Sequence, residues 1–299
     1  MKLMKEEQIS PDAFLKEAKY IVDKAEGKGI TLRVMGGVGI ALHSSNHREF
    51  AKRLGRLGKG EKQEFSDLDF MAYKKQFTKI MRFFVEDLDY IERKRTLSTA
   101  LSLRQIFFNP EGWCYADVFF DKLVVANHTI DFRRRLIVDS PTVSITDLLL
   151  EKIQMWEAFS QKDLKDCLVL VRAHDVGEGN GETINAKYVA ELLSDDWGFW
   201  YTATTNLNRI REFMNRLNEL GPKAEIDPSA ITEEEKIDII NKIDTLLNYV
   251  EKEDKSLKWK MRSKVGTLKR WYRHVETPET VAGFGIWRMK ELYPEKRKK

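Results

Sequence analysis

The first 140 residues mix two patterns of apolar positions, one with helical spacing and one with the short period of a strand. Residues 10–28 place apolar side chains three and four positions apart behind Ser10 and Pro11, which predicts a helix with an N-cap. Residues 75–88 predict a second helix of the same kind. Strands are predicted where short apolar-rich or alternating segments occur, at residues 30–35, 66–73, 89–95, 101–109, 113–121 and 128–138.

From Ile145 onward the pattern is helical throughout. Helices are predicted near residues 146–160, 161–174, 185–194, 197–220, 232–250, 256–275 and 278–292. The expected fold class is therefore α+β, with a first half of helices and strands followed by an all-helical C-terminal domain. We expect the domains to span residues 1–141 and 142–299. The polar and basic residues 46–64 predict a loop or lid.

Composition adds the class of protein. The chain has 299 residues, of which 42% are hydrophobic, and only two cysteines, Cys114 and Cys167, so a disulfide scaffold is excluded. The N-terminus lacks an apolar signal segment, and no run of about 18 apolar residues occurs, so we expect no membrane span. These features together lead us to expect a cytoplasmic protein.

The net charge of +4 is unevenly distributed along the chain. Residues 250–299 hold 15 Lys or Arg against 7 Asp or Glu, whereas the rest of the chain holds 36 against 40. A local basic excess favours a polyanionic partner such as RNA. A solvated helical surface would give the same composition.

Candidate chemistry lies in three acidic strand positions and one glycine pair. Asp67 and Asp69 alternate on one predicted strand and so share a face, and Asp117 lies within an apolar one. Carboxylates that converge on one face repel one another unless a cation binds between them, and Mg²⁺ prefers oxygen ligands and substrate phosphates. Gly36 and Gly37 lie between a strand and a helix, where the backbone can approach a phosphate. Taken alone, Gly36 and Gly37 could form an ordinary tight turn. Asp67 and Asp69, taken alone, could lie on an edge strand that faces solvent.

In this order, the segments VMGGVGIAL, FSDLDF and YADVFF resemble the nucleotidyltransferases related to DNA polymerase β. The segment at 145–171 is similar to the helix pair of the AbiEii-type, toxin-like members, with its Leu-Leu-x-x-Lys and Lys-Asp-x-x-Asp motifs. The resemblance covers residues 30–175. One departure is the 30-residue separation of Gly37 from Asp67, which is longer than the family's compact spacing.

The resemblance implies a fold, a set of ligands and a role for each matched residue. The first domain is expected to have the polymerase β-like core with its mixed β-sheet, and the second to complete the nucleotide cleft. Asp67, Asp69 and Asp117 would bind Mg²⁺ or Mn²⁺, and Asp117 would also help to deprotonate the acceptor. The remaining matched residues would bind the nucleoside triphosphate, such as ATP, GTP or CTP: Gly36 and Gly37 at the phosphates, together with Lys152 and Asp163. For Lys152 and Asp163, a solvated lysine and a surface acid are the alternatives.

The function implied is Mg²⁺-dependent transfer of a nucleotide from an NTP to an acceptor hydroxyl, with release of pyrophosphate. The basic C-terminus favours tRNA or another RNA as the acceptor, and the AbiEii resemblance favours a toxin with an antitoxin partner. A small-molecule acceptor such as an aminoglycoside is the alternative enzymatic interpretation. An RNA- or nucleotide-binding module with a degenerate site is the non-enzymatic one, although all three carboxylates are present.

Overall fold

A computed structural model describes residues 9–56, 65–93, 104–124 and 128–273 of the protein. Its strands are β1 (Leu32–Met35), β2 (Asp67–Ala72), β3 (Ile91–Glu92), β4 (Arg104–Phe108), β5 (Tyr115–Phe120), β6 (Lys122–Val124), β7 (Thr129–Asp131), β8 (Asp175–Gly177) and β9 (Thr183–Asn185). Its α-helices are α1 (Pro11–Gly27), α2 (Gly36–His43), α3 (Arg48–Arg53), α4 (Phe77–Arg82), α5 (Ile145–Ile153), α6 (Gln161–Ala173), α7 (Ala186–Asp195), α8 (Trp197–Asn215), α9 (Leu217–Leu220), α10 (Glu233–Lys252) and α11 (Leu257–Val265). The fold is α+β, with a mixed sheet and a helical C-terminal region, as the sequence predicts.

The described residues fall into two compact units. The first, here called the sheet unit, contains the described residues within 1–43, 57–122 and 131–143. The second, the helical unit, contains those within 44–56, 123–130 and 144–299. The main division thus falls just after the expected position of 141, but two stretches of the first half, Ser44–Arg56 and Leu123–Ile130, belong to the helical unit.

The sheet unit is built on five strands in the order β1-β2-β5-β4-β3. β2 and β5 are parallel, whereas β1, β4 and β3 are each antiparallel to their neighbours. One face of this sheet is apolar and fully buried, with Leu68 and Phe70 of β2 beside Ala116 and Val118 of β5. Because side chains alternate along a strand, the intervening residues lie on the other face.

Helix α1 contributes to the buried side of the sheet unit. Ser10 accepts a hydrogen bond from the Ala13 N–H, and Pro11 occupies the first turn, so the helix starts where the sequence predicts. Its buried residues recur at helical spacing: Phe14, Ala18, Ile21, Val22 and Ala25. They belong to the same apolar cluster as the buried face of the strands.

The helical unit is organised by α5, α6, α7, α8 and α10. Capping boxes fix the starts of α6 and α10, at Ser160 and Thr232, where a side chain and a backbone N–H are paired reciprocally. In α10, Ile239, Ile243, Leu246 and Val250 are buried, which is the spacing of one helix face. A helix begins close to each position predicted in the described part of this region, but the helix predicted at 256–275 ends at Val265. The helix predicted at 278–292 lies outside the described residues.

Several expected boundaries were wrong. The helix predicted at 146–160 ends at Ile153, where the Asn206 amide donates to the Ile153 and Met155 carbonyls and so satisfies the helix end. The predicted loop at 46–64 contains α3, anchored by buried Phe50 and Leu54, while residues 57–64 lie outside the described part. Within 128–138 only Thr129–Asp131 is a strand. The short pair β8 and β9 was not predicted.

Candidate functional site

The three candidate carboxylates lie on one face of two neighbouring strands. Asp69 of β2 is the direct register partner of Asp117 of β5, and Asp67 is the partner of Tyr115. Residues in register on adjacent strands share a face, and adjacent strands are about 4.8 Å apart. The alternation that buries Leu68 and Val118 therefore places all three carboxylates together on the opposite face, which we call the carboxylate face.

Gly36 lies directly beside the Asp69 carboxylate. It follows Met35, the register partner of Asp69, and its φ of +67° lies in the left-handed region. A Cβ atom at this position would lie 2.5 Å from Asp69 Oδ2, so only glycine fits beside that side chain. Gly36 and Gly37 are the first two residues of α2, which places the start of this helix at the carboxylate face.

Asp67 is held by two hydroxyl groups. The Tyr115 hydroxyl donates to Asp67 Oδ2 at 3.0 Å, and the Ser66 hydroxyl donates to Oδ1 at 3.1 Å. Burial and the nearby carboxylates raise the pKa of Tyr115, so it acts here as a donor and not as an anion. These bonds fix the direction of the Asp67 side chain on its face.

Asp117 is paired with an arginine that the sequence did not single out. Arg104 Nε donates to both carboxylate oxygens at 2.7 Å, and its terminal nitrogen donates to Oδ2 as well. The Asp117 side chain is 2% exposed, whereas that of Arg104 is 48% exposed. Burial raises the pKa of Asp117, and the hydrogen bonds and charge of Arg104 oppose that shift. A buried carboxylate is costly without such a partner.

A second ionic cluster lies in the helical unit. Lys152 Nζ is 3.2 Å from Asp166, 3.6 Å from Asp163 and 3.7 Å from Glu151. Arg56 Nε donates to Asp166 Oδ1 at 2.5 Å. Burial opposes the charge of Lys152, but the surrounding carboxylates outweigh it and raise its pKa. Both cations are largely enclosed, with 14% of the Lys152 side chain and 9% of the Arg56 side chain exposed.

Asp163 also has a structural partner. Its carboxylate accepts from the Ser160 N–H at 2.9 Å and from the Ser160 hydroxyl at 2.7 Å, which completes the capping box of α6. The expected site residues thus fall into two groups. Gly36, Gly37, Asp67, Asp69 and Asp117 belong to the sheet unit, and Lys152 and Asp163 belong to the helical unit.

The donor chemistry of the carboxylate face suits a hard divalent cation. Mg²⁺ and Mn²⁺ take carboxylate oxygens as ligands, and three carboxylates lie on this face. As they stand, no three acidic, histidine or cysteine side chains within the described ranges converge closely enough to hold a metal ion. The guanidinium of Arg104 takes the oxygens that Asp117 could offer to a cation.

Comparison with known proteins adds no identification. No model of a known protein family matches the chain, and no curated protein matches it. Over the described residues, no helix has the length and apolar character needed to cross a membrane.

The contacts of three residues of these sites were not predicted from the sequence. Arg104 and Tyr115 both lie on strands that were predicted, but their contacts depend on strand register, which the pattern does not give. Arg56 meets Asp166 across 110 residues of sequence. The available signal for Arg104 was a charged residue on the strand next to an apolar strand that carries a carboxylate.

Proposed function

We propose that the protein is a metal-dependent nucleotidyltransferase whose active site is the carboxylate face of the sheet unit. The observation that carries this proposal is the register of Asp69 with Asp117, with Asp67 on the same face and Gly36 in contact with Asp69. The mixed sheet and the glycine turn that leads from β1 into α2 agree with the polymerase β-like core that the sequence resembles.

In the proposed reaction, the acceptor hydroxyl oxygen forms a bond to the α-phosphorus of an NTP, and the bond to pyrophosphate breaks. Bound Mg²⁺ or Mn²⁺ would stabilise the charge on the attacking and leaving oxygens. Asp67 and Asp69 would hold the cation through their negative charge, and Asp117 would accept the hydroxyl proton. The positive φ of Gly36 lets the backbone approach the phosphates without a side chain in the way.

The proposed acceptor is RNA, such as tRNA. Residues 256–273 contain seven Lys or Arg and no Asp or Glu, and most of these basic side chains are exposed, including those of Lys258, Lys260 and Lys264 on α11. Exposed cations bind phosphates in a sequence-independent way. A toxin role with an antitoxin partner remains a proposal that follows from the AbiEii resemblance.

The reaction is tested with each labelled NTP, Mg²⁺ and total tRNA. The wild-type protein is expected to attach label to RNA, and Asp69→Asn is expected to reduce the rate at least about 100-fold, because it removes a charge that holds the cation. Asp131→Asn is the matched control, since Asp131 is paired with Arg133 elsewhere in the same unit. Absence of label on RNA and on small-molecule acceptors, or equal rates in wild type and Asp69→Asn, contradicts the proposal.

The acceptor is tested by the double variant Lys260→Gln/Lys264→Gln. We expect weaker tRNA binding, and the slope of its salt dependence should decrease by about one for each phosphate that is no longer bound. Lys16→Gln/Lys19→Gln removes two charges from α1 and is the control. Equal tRNA affinity in both double variants would rule out α11 as the RNA surface.

A further inference from the structure

Arg104 is the residue of the carboxylate face with the least ordinary surroundings. Its guanidinium donates to both oxygens of Asp117 and stacks on the Phe119 ring, 5.3 Å from the ring centroid. Phe119 is the register partner of Arg104, so the pairing of β4 with β5 presents this arginine to the carboxylate two residues earlier. Asp69 and Tyr115 also contribute to its electrostatic surroundings.

The pair is unequal in its exposure to water. Asp117 is 2% exposed and depends on its partner, whereas Arg104 keeps 48% of its side chain in solvent. An arginine with that exposure can leave the carboxylate at modest cost, because water solvates the released guanidinium. The buried carboxylate cannot lose its partner unless another cation takes the place.

A divalent cation needs the same atoms. Its bonds to a carboxylate use the oxygens that Arg104 occupies, so the two cations cannot both have full use of Asp117. We propose that Arg104 is the resident counter-ion of Asp117 and competes with the divalent cation, so that the metal enters the site by displacing the guanidinium. This inference rests on the proposed function, because it takes the carboxylate face to be a metal site.

The competition is measured as binding of Mn²⁺ to the full-length protein without nucleotide, from the electron paramagnetic resonance signal of free Mn²⁺. Arg104→Gln is expected to bind Mn²⁺ about tenfold more tightly than the wild-type protein, because the guanidinium that is hydrogen-bonded to both Asp117 oxygens is then absent. Arg104→Lys keeps a charge but loses the two-pronged geometry, so about threefold tighter binding is expected.

The matched control is Arg133→Gln. Arg133 donates to both oxygens of Asp131, at 2.9 and 3.1 Å, in the same unit but away from the three carboxylates of the face. Its loss is expected to leave Mn²⁺ affinity unchanged. A merely structural role for Arg104 would lower stability without tightening Mn²⁺ binding, so thermal unfolding is recorded for each variant with and without Mn²⁺.

The outcomes separate the two proposals. If wild type binds Mn²⁺, Asp69→Asn does not, and Arg104→Gln binds no more tightly than wild type, the competition is refuted while the metal site stands. If neither wild type nor Arg104→Gln binds Mn²⁺, the metal site itself is refuted, and the competition with it. Should Arg104→Gln fail to fold, Arg104→Lys decides in the same way.

Discussion

Two buried aspartates of this protein are each held by an arginine, but in different surroundings. Asp117 and Asp166 are both 2% exposed. The arginine of Asp117 is 48% exposed, whereas Arg56, the arginine of Asp166, is 9% exposed and shares its carboxylate with Lys152. Under the proposal above, a cation from solvent can replace Arg104, whereas the cations beside Asp166 are largely enclosed. The exposed pair is suited to binding a ligand, whereas the enclosed cluster is suited to holding α3, α5 and α6 together.

The largest expected effect is on the enclosed cluster. Asp166→Asn leaves the charges of Arg56 and Lys152 without their shared partner, which is expected to lower the free energy of unfolding by about 3–5 kcal/mol. Urea denaturation measures it. Asp238→Asn is the control, because Asp238 also has two cations nearby, Arg172 at 3.3 Å and Lys242 at 3.1 Å, but its side chain is 31% exposed. A cost of about 0–1 kcal/mol is expected there. A cost below about 1 kcal/mol for Asp166→Asn would show that the enclosed cluster stabilises the fold no more than a partly exposed ion pair does.

The second prediction is that His128, which is buried in the helical unit, resists protonation in the folded protein. His128 is buried, stacks on Phe199, and lies 2.9 Å from the Thr202 hydroxyl. Burial lowers its pKa to about 4. The unfolded chain therefore binds a proton near pH 6.5 that the folded chain resists, and stability is lost as the pH falls from about 6.5 to about 4.

The expected loss over this window is about 3 kcal/mol. Unfolding free energies of wild type and His128→Gln, measured from pH 7 to pH 4, provide the test. The difference between the two proteins should diminish as the pH falls, because the variant lacks the group that the unfolded chain protonates. A pH-independent difference would show that His128 is protonated as readily in the folded chain as in the unfolded one.

The third prediction concerns the contact that shapes the carboxylate face. Gly36→Ala adds a Cβ atom 2.5 Å from Asp69 Oδ2 at a φ of +67°, and a cost of about 2 kcal/mol or more is expected in thermal or urea unfolding. Gly112 has a φ of +78° with nothing near its Cβ position. Gly112→Ala therefore isolates the backbone cost, about 1 kcal/mol. Equal costs would mean that Asp69 moves away freely.

The smallest expected change in stability is that of Asp117→Asn. Removing this charge leaves Arg104 half in solvent and ends the burial of a carboxylate, so the free energy of unfolding at neutral pH should stay within about 1 kcal/mol of wild type. The same urea series as for Asp166→Asn measures it. A cost equal to that of Asp166→Asn would place both aspartates in the same structural class.

The sequence predicts some features of these two aspartate sites and not others. Alternation in β2 predicts that Asp67 and Asp69 share a face, and the apolar strand around Asp117 predicts its burial. The register of Asp69 with Asp117 was not predictable, because a parallel pair joins strands that are distant in sequence and leaves no local trace. The contact of Arg56 with Asp166 was not predictable either, because 110 residues separate them. The strands β8 and β9 are too short to show an alternating pattern.

Nucleotidyl transfer at the carboxylate face, as proposed above, is tested most directly at Asp117. The measurement is the rate at which label from an NTP becomes attached to RNA, compared between wild type and Asp117→Asn. We predict that Asp117→Asn loses at least about 100-fold in rate while unfolding with nearly wild-type free energy. Full transfer activity in Asp117→Asn would contradict the account.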